Sequence, residues 1–423
     1  MMHSALAERQ AKNIMARCDV IAAESSRPDG IHRFFLSEEH ARVNAHLRRW
    51  MTKSRLKVWQ DDFGSQWGRV DSGQTSGKAM VIGSHIDTVP DAGRYDGVLG
   101  VLIGIAVAEM VADSGIRLDR PLEVVAFGDE EGSRFPATLM SSRFVAGLGD
   151  LGWLDLEDKD GISLASAMES FGLDPAVLEG SYGHRHLDGV GYFLEPHIEQ
   201  ADELERRGHA VGAVSGVAGA VRATVSVVGE AGHAGSLLES RRDAGSGAAE
   251  IMMAIESCAR VTPDMRATVG RVSFGPGAVN VVPGRAELSV DLRAASDQRL
   301  HLVWDSLMTQ IGKICDRRGL ELSVRRDHAA GAVAFGGAVT TAVSESIESG
   351  MAGAAPTLWS MPGHDAMVMA PVVDTGMVFI RSRDGVSHSP NESVSTHDVA
   401  QALDVCLRTV VNLCCARSLR QVS

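Results

Sequence analysis

The sequence predicts an α/β protein in which a smaller ferredoxin-like domain interrupts a larger one. Three observations carry this. Residues 79–127 alternate strand, helix and strand; the rhythm changes near Gly212 to the order βαββαβ; and a Gly-rich α/β pattern resumes after about Ala330.

In the first segment Ala79 to Ser84 is a short apolar run suited to a buried strand, and Val98 to Ala112 is long enough for a buried helix. Leu122 to Phe127 is again a strand. A strand–helix–strand unit implies a parallel pair with its functional loops at the carboxyl ends. In the second segment Arg222 to Val228 reads as a strand, Asp243 to Ala259 as a helix, and Val269 to Phe274 and Ala286 to Leu292 as two strands around a turn-rich stretch. Leu300, Val303, Leu307, Ile311 and Ile314 recur at three- and four-residue steps, marking an amphipathic helix that ends near Gly319, before a last strand at Leu320 to Val324. A closing helix follows Ser395, with Val399, Leu403, Cys406 and Val410 on one face. The expected division is residues 1–212, an inserted domain at 213–330, and a return at 331–423.

The chain has 423 residues, 44% of them hydrophobic, enough apolar mass for more than one core. The weakly polar run from Gly97 to Ala108 is too short to cross a bilayer, and the N-terminus has no signal-peptide core, so a soluble, cytoplasmic protein without a membrane partner is expected. A formal net charge of -13 and short, scattered basic pairs such as Arg206-Arg207 and Arg325-Arg326 argue against a nucleic-acid partner. The six cysteines form no CxxC pair, which fits reduced, buried thiols.

His85 and Asp87, two positions apart at the end of a predicted strand, point the same way, so one can bind a metal while the other orients it. Alone, the pair would read as a surface His beside a surface Asp. Asp96 in the loop Gly93-Arg94-Tyr95-Asp96-Gly97 can reach the same strand end. Glu130 and Glu131 leave the next strand as adjacent, diverging side chains, one able to bind metal and the other to face an attacking water. His197 and His388 complete a set of three histidines and two carboxylates that suits a pair of divalent ions with open positions for water. His184 and His186 lie in a polar loop, and His32, His40, His46 and His301 in charged stretches; all are expected at the surface.

With GSHIDTVPDAGRYDG, DEEGSRF, EPHIEQ, GHAG, RRDA, GAVNVVPG, DLR, PGHDA and SHSPNE in this order, the chain resembles the M20 metallopeptidase clan, and within it the hydantoinase/carbamoylase branch of ureido-acid amidohydrolases. The resemblance implies an M20-like zinc-peptidase catalytic domain with an inserted dimerisation (lid) domain. It implies that His85, Asp96 and His197 bind one metal, that Asp96 bridges to a second held by Glu131 and His388, and that Glu130 is the general base. The two divalent ions would be Zn or Mn, with Co or Ni as substitutes. Clan peptidases commonly place a Lys shortly after the bridging aspartate; here Gly97-Val98-Leu99-Gly100 follows, which favours the ureido branch.

In the inserted domain Arg293 can fork onto a substrate carboxylate, although Asp291 and Arg293 could equally form an exposed pair. His233 and Asn280 could donate to a carbonyl oxygen as it gains charge, and Gln200 would hold the ureido group. The resemblance further implies a homodimer through the inserted domain, with His233 completing the neighbour's site. The expected substrate is a small ureido acid, allantoate first and N-carbamoyl-L-amino acids or a β-ureido acid second; an aminoacylase, a dipeptidase or a non-catalytic metal-binding protein is more remote. Ala201-Asp202 after EPHIEQ and Ser236-Leu237-Leu238 after GHAG depart from the branch's usual Gly-Pro and Pro-Met, which bears on pocket shape.

Overall fold

The structure, a computed structural model, describes residues 4–70, 77–180, 187–262, 264–350 and 354–415; His184 and His186 lie outside them. The chain divides into two compact units, one of Met1–Ser215, Phe335–Leu358 and His364–Ser423, the other of Gly216–Ala334 and Trp359–Gly363. Among the described residues no helix is long and apolar enough to cross a membrane.

The first unit opens with α1 (Ser4–Ala22) and α2 (Glu38–Lys53), then the antiparallel strands β1 (Lys57–Gln60) and β2 (Gln66–Val70). Ser37 caps α2 by accepting the N–H of His40, and Glu38 and Glu39 occupy the first turn, where the helix dipole favours negative charge. His40, Val43, Asn44, Leu47 and Met51 form the buried stripe of α2. The surface position expected for His40 is therefore wrong: the charges around it sit on the opposite face, and its ring is only 1% exposed. Its Nδ1 accepts the N–H of Leu36 at 3.0 Å. His32 and His46 are half-buried, and His301 is exposed.

β3 (Ala79–His85) and β4 (Leu122–Phe127) pair in parallel through α3 (Val98–Ser114), and β5 (Val190–Ile198) runs parallel to β3 on its other side. α3 is apolar and buried from Val98 to Val111 apart from Glu109, which pairs with Arg17; its last residues are exposed and it ends at Gly115 in the left-handed conformation. Its Leu99, Leu102, Ile103 and Val107 share one core with Ile82, Val124 and Leu194 of the three strands. Burying such side chains contributes about 1.5–3 kcal/mol each. β6 (Val211–Val217) then carries the chain into the second unit.

There β7 (Gly219–Val228), β8 (Gly232–His233), α4 (Ala244–Arg260), β9 (Met265–Thr268), β10 (Val272–Gly275), β11 (Val281–Val282), β12 (Arg285–Ala294), α5 (Asp297–Arg318) and β13 (Glu321–Ala330) follow. The antiparallel sheet runs β10-β12-β7-β13, with β9 also on β12. The strand expected at 269–274 is β10, which begins only at Val272, and a further strand, β9, precedes it; the two pair with opposite ends of β12. At the break the Ser289 hydroxyl accepts the N–H of Arg271 at 2.9 Å. Ile251 and Ile255 of α4 and Leu307 and Ile311 of α5 pack with Leu288 and Val225 in this unit's core. β13 is exposed along nearly its whole length.

After β14 (Val333–Ala334), which pairs with Gly216 and Val217, come α6 (Ala338–Gly350), β15 (Thr357–Ser360), α7 (Asp365–Met369), β16 (Asp374–Ile380) and α8 (Thr396–Cys414). β16 inserts between β5, to which it is parallel, and β6, to which it is antiparallel. The first unit's sheet thus reads β1-β2-β4-β3-β5-β16-β6. Ser395 caps α8, and Val399, Leu403, Cys406 and Val410 are buried on it. All six cysteines are free thiols; five are buried and Cys258 is half-buried.

Candidate metal centre

β3, β4 and β5 bring their carboxyl ends to one edge of the sheet, and the expected ligands of the first unit meet there. His85 is the last residue of β3, Glu130 and Glu131 follow β4, and His197 is the penultimate residue of β5. Asp87 lies just beyond β3, not on it, so the period of a strand does not aim it. The chain turns there, and Asp87 Oδ1 comes to 3.3 Å from His85 Nδ1. The two carboxylate oxygens of Asp87 also accept the N–H groups of Glu130 at 3.0 Å and Glu131 at 3.1 Å. One buried carboxylate thereby orients a histidine and the backbone of both glutamates.

Protonation follows from these contacts. His85 Nδ1 faces two acceptors, the Asp87 carboxylate and, at 3.2 Å, the Asp87 carbonyl oxygen. His197 Nδ1 faces the carbonyl oxygen of Ile198 at 2.8 Å. In each neutral ring the proton must sit on Nδ1, which leaves a lone pair on Nε2. The two Nε2 atoms are 3.4 Å apart, and both turn toward Asp96 Oδ1, at 3.1 Å from His197 and 3.9 Å from His85. Asp96 Oδ1 is buried and has no hydrogen-bond partner. Three lone pairs converging in a buried place repel one another unless a positive charge lies among them. The residues fit a divalent cation, and that fit rests on the donor set itself.

Gly97, with φ +64°, makes the approach possible, since a Cβ there would lie 2.5 Å from the His85 ring. The other oxygen of Asp96 faces a second group: His388 Nε2 at 3.2 Å, with Glu131 Oε1 3.3 Å from the same nitrogen. Gln200 Nε2 donates to Asp96 Oδ2 at 3.0 Å. His388 and Gln200 both hold positive φ, 52° and 57°, a conformation few side chains adopt without compensation. Asp96 thus belongs to two groups of side chains that could each hold a cation, His85–Asp96–His197 and Asp96–Glu131–His388.

The electrostatics agree. Burial lowers the pKa of His85, but the Asp87 hydrogen bond and the charges of Glu130, Asp87 and Asp96 carry it well above its ordinary value. Burial opposes ionisation of Asp96, yet the neighbouring imidazoles of His197, His388 and His85 hold it well below the usual carboxylate range. Glu130 is the converse: burial, then Glu131, Asp365 and Asp87, push its carboxyl well above the usual range, with His85 opposing.

The remaining expected residues, His233, Asn280 and Arg293, belong to the second unit. His233 pairs with Val281 in the ribbon of β8 and β11, and the Asn280 carbonyl accepts the N–H of Ala234 at 2.9 Å. His233 Nδ1 accepts the N–H of Gly235 at 3.0 Å, so a neutral ring keeps its proton on Nε2 as a donor. Arg293 forks onto Asp291 at 2.7 and 3.0 Å and donates to the Met361 carbonyl at 3.0 Å. The ion pair weighed from the sequence does form.

Sequence reasoning gave no role to four buried groups of the first unit. Glu195 accepts from the Ser84 hydroxyl at 3.0 Å and from the N–H of Ala366 at 2.7 Å. The His364 ring lies 4.3 Å from that of His197. Asp365 is fully buried, and Glu392 accepts the N–H groups of Tyr95 and Asp96. The PGHDA and SHSPNE stretches contain three of them, but nothing local says that their side chains turn inward.

A family profile described as Peptidase family M20/M25/M40 matches residues 81–412. An allantoate deiminase of Arabidopsis thaliana is 35% identical over 433 residues, covering 95% of this chain and 81% of that protein. An N-carbamoyl-L-amino acid amidohydrolase of Geobacillus stearothermophilus is 35% identical over 388 residues, covering 91% and 93%. Among solved structures, a hydantoinase/carbamoylase-family amidase from Burkholderia multivorans superposes with a TM-score of 0.88 at 29% identity, covering 96% of this chain and 98% of its own.

Proposed function

The chain belongs to peptidase family M20/M25/M40, and from that footing we propose that it hydrolyses the ureido carbon–nitrogen bond of allantoate, releasing a carbamate that decomposes to carbon dioxide and ammonia. The observation that carries the hydrolase part is the paired imidazole lone pairs on one oxygen of Asp96, with a second ligand set on the other. Divalent ions held on the two faces of Asp96, by His85 and His197 on one and by Glu131 and His388 on the other, would supply an acidified water and a polarised carbonyl.

The chain's own residues do the rest. Glu130 takes the proton of the attacking water and returns it to the leaving nitrogen, and burial together with Glu131 raises its pKa above the usual carboxylate range, the direction a proton carrier needs. Asp87 keeps the His85 tautomer fixed and anchors the backbone that aims Glu130 and Glu131. Gln200, held beside Asp96 and His388, is placed to bind the ureido group. In the second unit the outward Nε2–H of His233 and the Asn280 side chain supply donors for a carbonyl oxygen gaining charge, and Arg293 the fork for a carboxylate.

A second reading, an N-carbamoyl-L-amino acid hydrolase, is favoured by the equal identity to relatives of that name. The DAGRYDG loop and the stretch Arg33 to His40 support allantoate. Ammonia release from allantoate, ureidoglycolate, N-carbamoyl-β-alanine and several N-carbamoyl-L-amino acids separates the two. A site that hydrogen-bonds a second polar group rejects analogues lacking it by up to about four or five orders of magnitude, while an apolar pocket grades side chains over about one or two. Allantoate should have the highest kcat/KM, by a steep margin. A graded apolar profile with allantoate inert moves the assignment to the second reading, and cleavage of dipeptides or N-acyl amino acids alone removes both. Sedimentation of the same preparation should give the mass of two chains, the dimer that the exposed edge strand β13 favours; a one-chain mass ends that part.

A further inference from the structure

Glu392 lies four residues beyond His388 and is 4% exposed. Its Oε1 accepts the N–H of Tyr95 at 2.7 Å and of Asp96 at 3.2 Å, across 297 and 296 residues of sequence. Its Oε2 accepts from the Ser387 hydroxyl at 3.1 Å. The carboxylate sits inside the turn that precedes α3, and Gly93 makes room for it: a Cβ there would lie 2.2 Å from Glu392 Cδ and Oε1. Ser387 is the residue before His388, and its hydroxyl is also 3.0 Å from Asp96 Oδ2. With a single hydrogen, that hydroxyl serves one of the two carboxylates at a time.

These contacts join the backbone of Asp96 to the loop that carries His388. They treat the two oxygens of Asp96 differently. On the Oδ1 side His85 is paired with Phe127 of β4 and His197 with Phe379 of β16, so two of the three ligands there are held by strand pairing without Glu392. On the Oδ2 side His388 comes from a loop, with a half-exposed side chain and a left-handed backbone, and Glu392 with Ser387 ties that loop to the backbone and carboxylate of Asp96, alongside Gln200, which lies between Asp96 and His388.

We propose that Glu392 is a positioning residue for one of the two ion sites, the one formed by Asp96, Glu131 and His388, and that it leaves the site of His85, Asp96 and His197 nearly untouched. The inference rests on the two-ion reading above. A carboxylate that merely stabilised the loop would alter thermal stability and shift both sites alike, or neither.

The test is calorimetric titration of Co(II) into the full-length, chelator-stripped chain. The native protein should show two binding events, and His388→Ala identifies which one belongs to the Asp96–Glu131–His388 site. Glu392→Ala should weaken that event about ten- to a hundredfold and the other by less than about threefold, as expected for a group that orients ligands. Glu392→Gln keeps an oxygen for the two N–H groups and a donor for Ser387, so it should restore most of the affinity. If Glu392→Ala lacks a cooperative thermal transition, Ser387→Ala, which removes only a hydroxyl, should weaken the same event. Equal shifts of both events, or no shift in a folded variant, overturn the inference and leave the two-ion reading standing. Two events missing from the native protein would overturn both.

Discussion

The two units place functional groups under opposite conditions. In the first, His85 and His197 are 1% exposed at the ends of neighbouring strands, and main-chain oxygens or a buried carboxylate fix their tautomers. In the second, His233 and Asn280 are exposed on a short ribbon, and Arg293 keeps 25% of its side chain accessible beside Asp291. Where water is excluded, an unpaired lone pair is costly and the cluster has one workable occupant, a positive charge. Where water remains, each group has an alternative partner and contributes less. On the function proposed above, the chemistry would be built into rigid strand ends and the substrate contacts left to adjustable surfaces.

Substitutions can break or sharpen this contrast. The largest effect should come from Glu130→Gln. Removing the proton carrier from the buried cluster should lower kcat by about two to four orders of magnitude, while metal content, read by elemental analysis, stays unchanged. A variant that loses its metal along with its rate would make Glu130 a ligand and not a base.

Arg293→Ala tests the other unit and should cost less. Loss of a charge-assisted fork is worth about 1.5–3 kcal/mol, or about one to two orders of magnitude in kcat/KM for every carboxylate substrate. An uncharged amide analogue should show almost no difference between variant and native protein. Equal losses for both substrate types would mean that Arg293 serves only its ion pair with Asp291.

The smallest effect sharpens the contrast within the first unit. His40 is as buried as His85, yet no carboxylate faces it, so burial, with the nearby Arg33 charge, pushes its pKa down from 6.5 to about 3. The unfolded chain then binds a proton there between those values and the folded chain does not. Stability is retained above about pH 6.5 and lost as the pH falls toward about 3. His40→Gln, which can still accept the Leu36 N–H, should show a shallower acid-side fall in Tm than the native protein. Parallel profiles would mean that His40 is not neutral when folded.

Much of this was legible in the residues. The strands at Ala79 and Leu122, the helix from Val98 and the capped helix after Ser395 follow from apolar runs and 3.6-residue periodicity, and motif order singled out His85, Asp96, Glu131, His197 and His388, whose side chains the fold groups so that they could hold a metal. These are local or linear signals, which a sequence states directly. Tertiary structure alone decided that His40 turns inward, that a separate strand at 265–268 joins the far end of β12 ahead of the shortened strand at 272–275, and that Asp87 serves three partners from beyond its strand. It alone seated Glu392 under a turn nearly three hundred residues away. The physical reason is common to all four. Which face of an element is buried, and which distant N–H or ring nitrogen a carboxylate meets, depends on the packing of segments far apart in the chain, and no local pattern encodes that meeting.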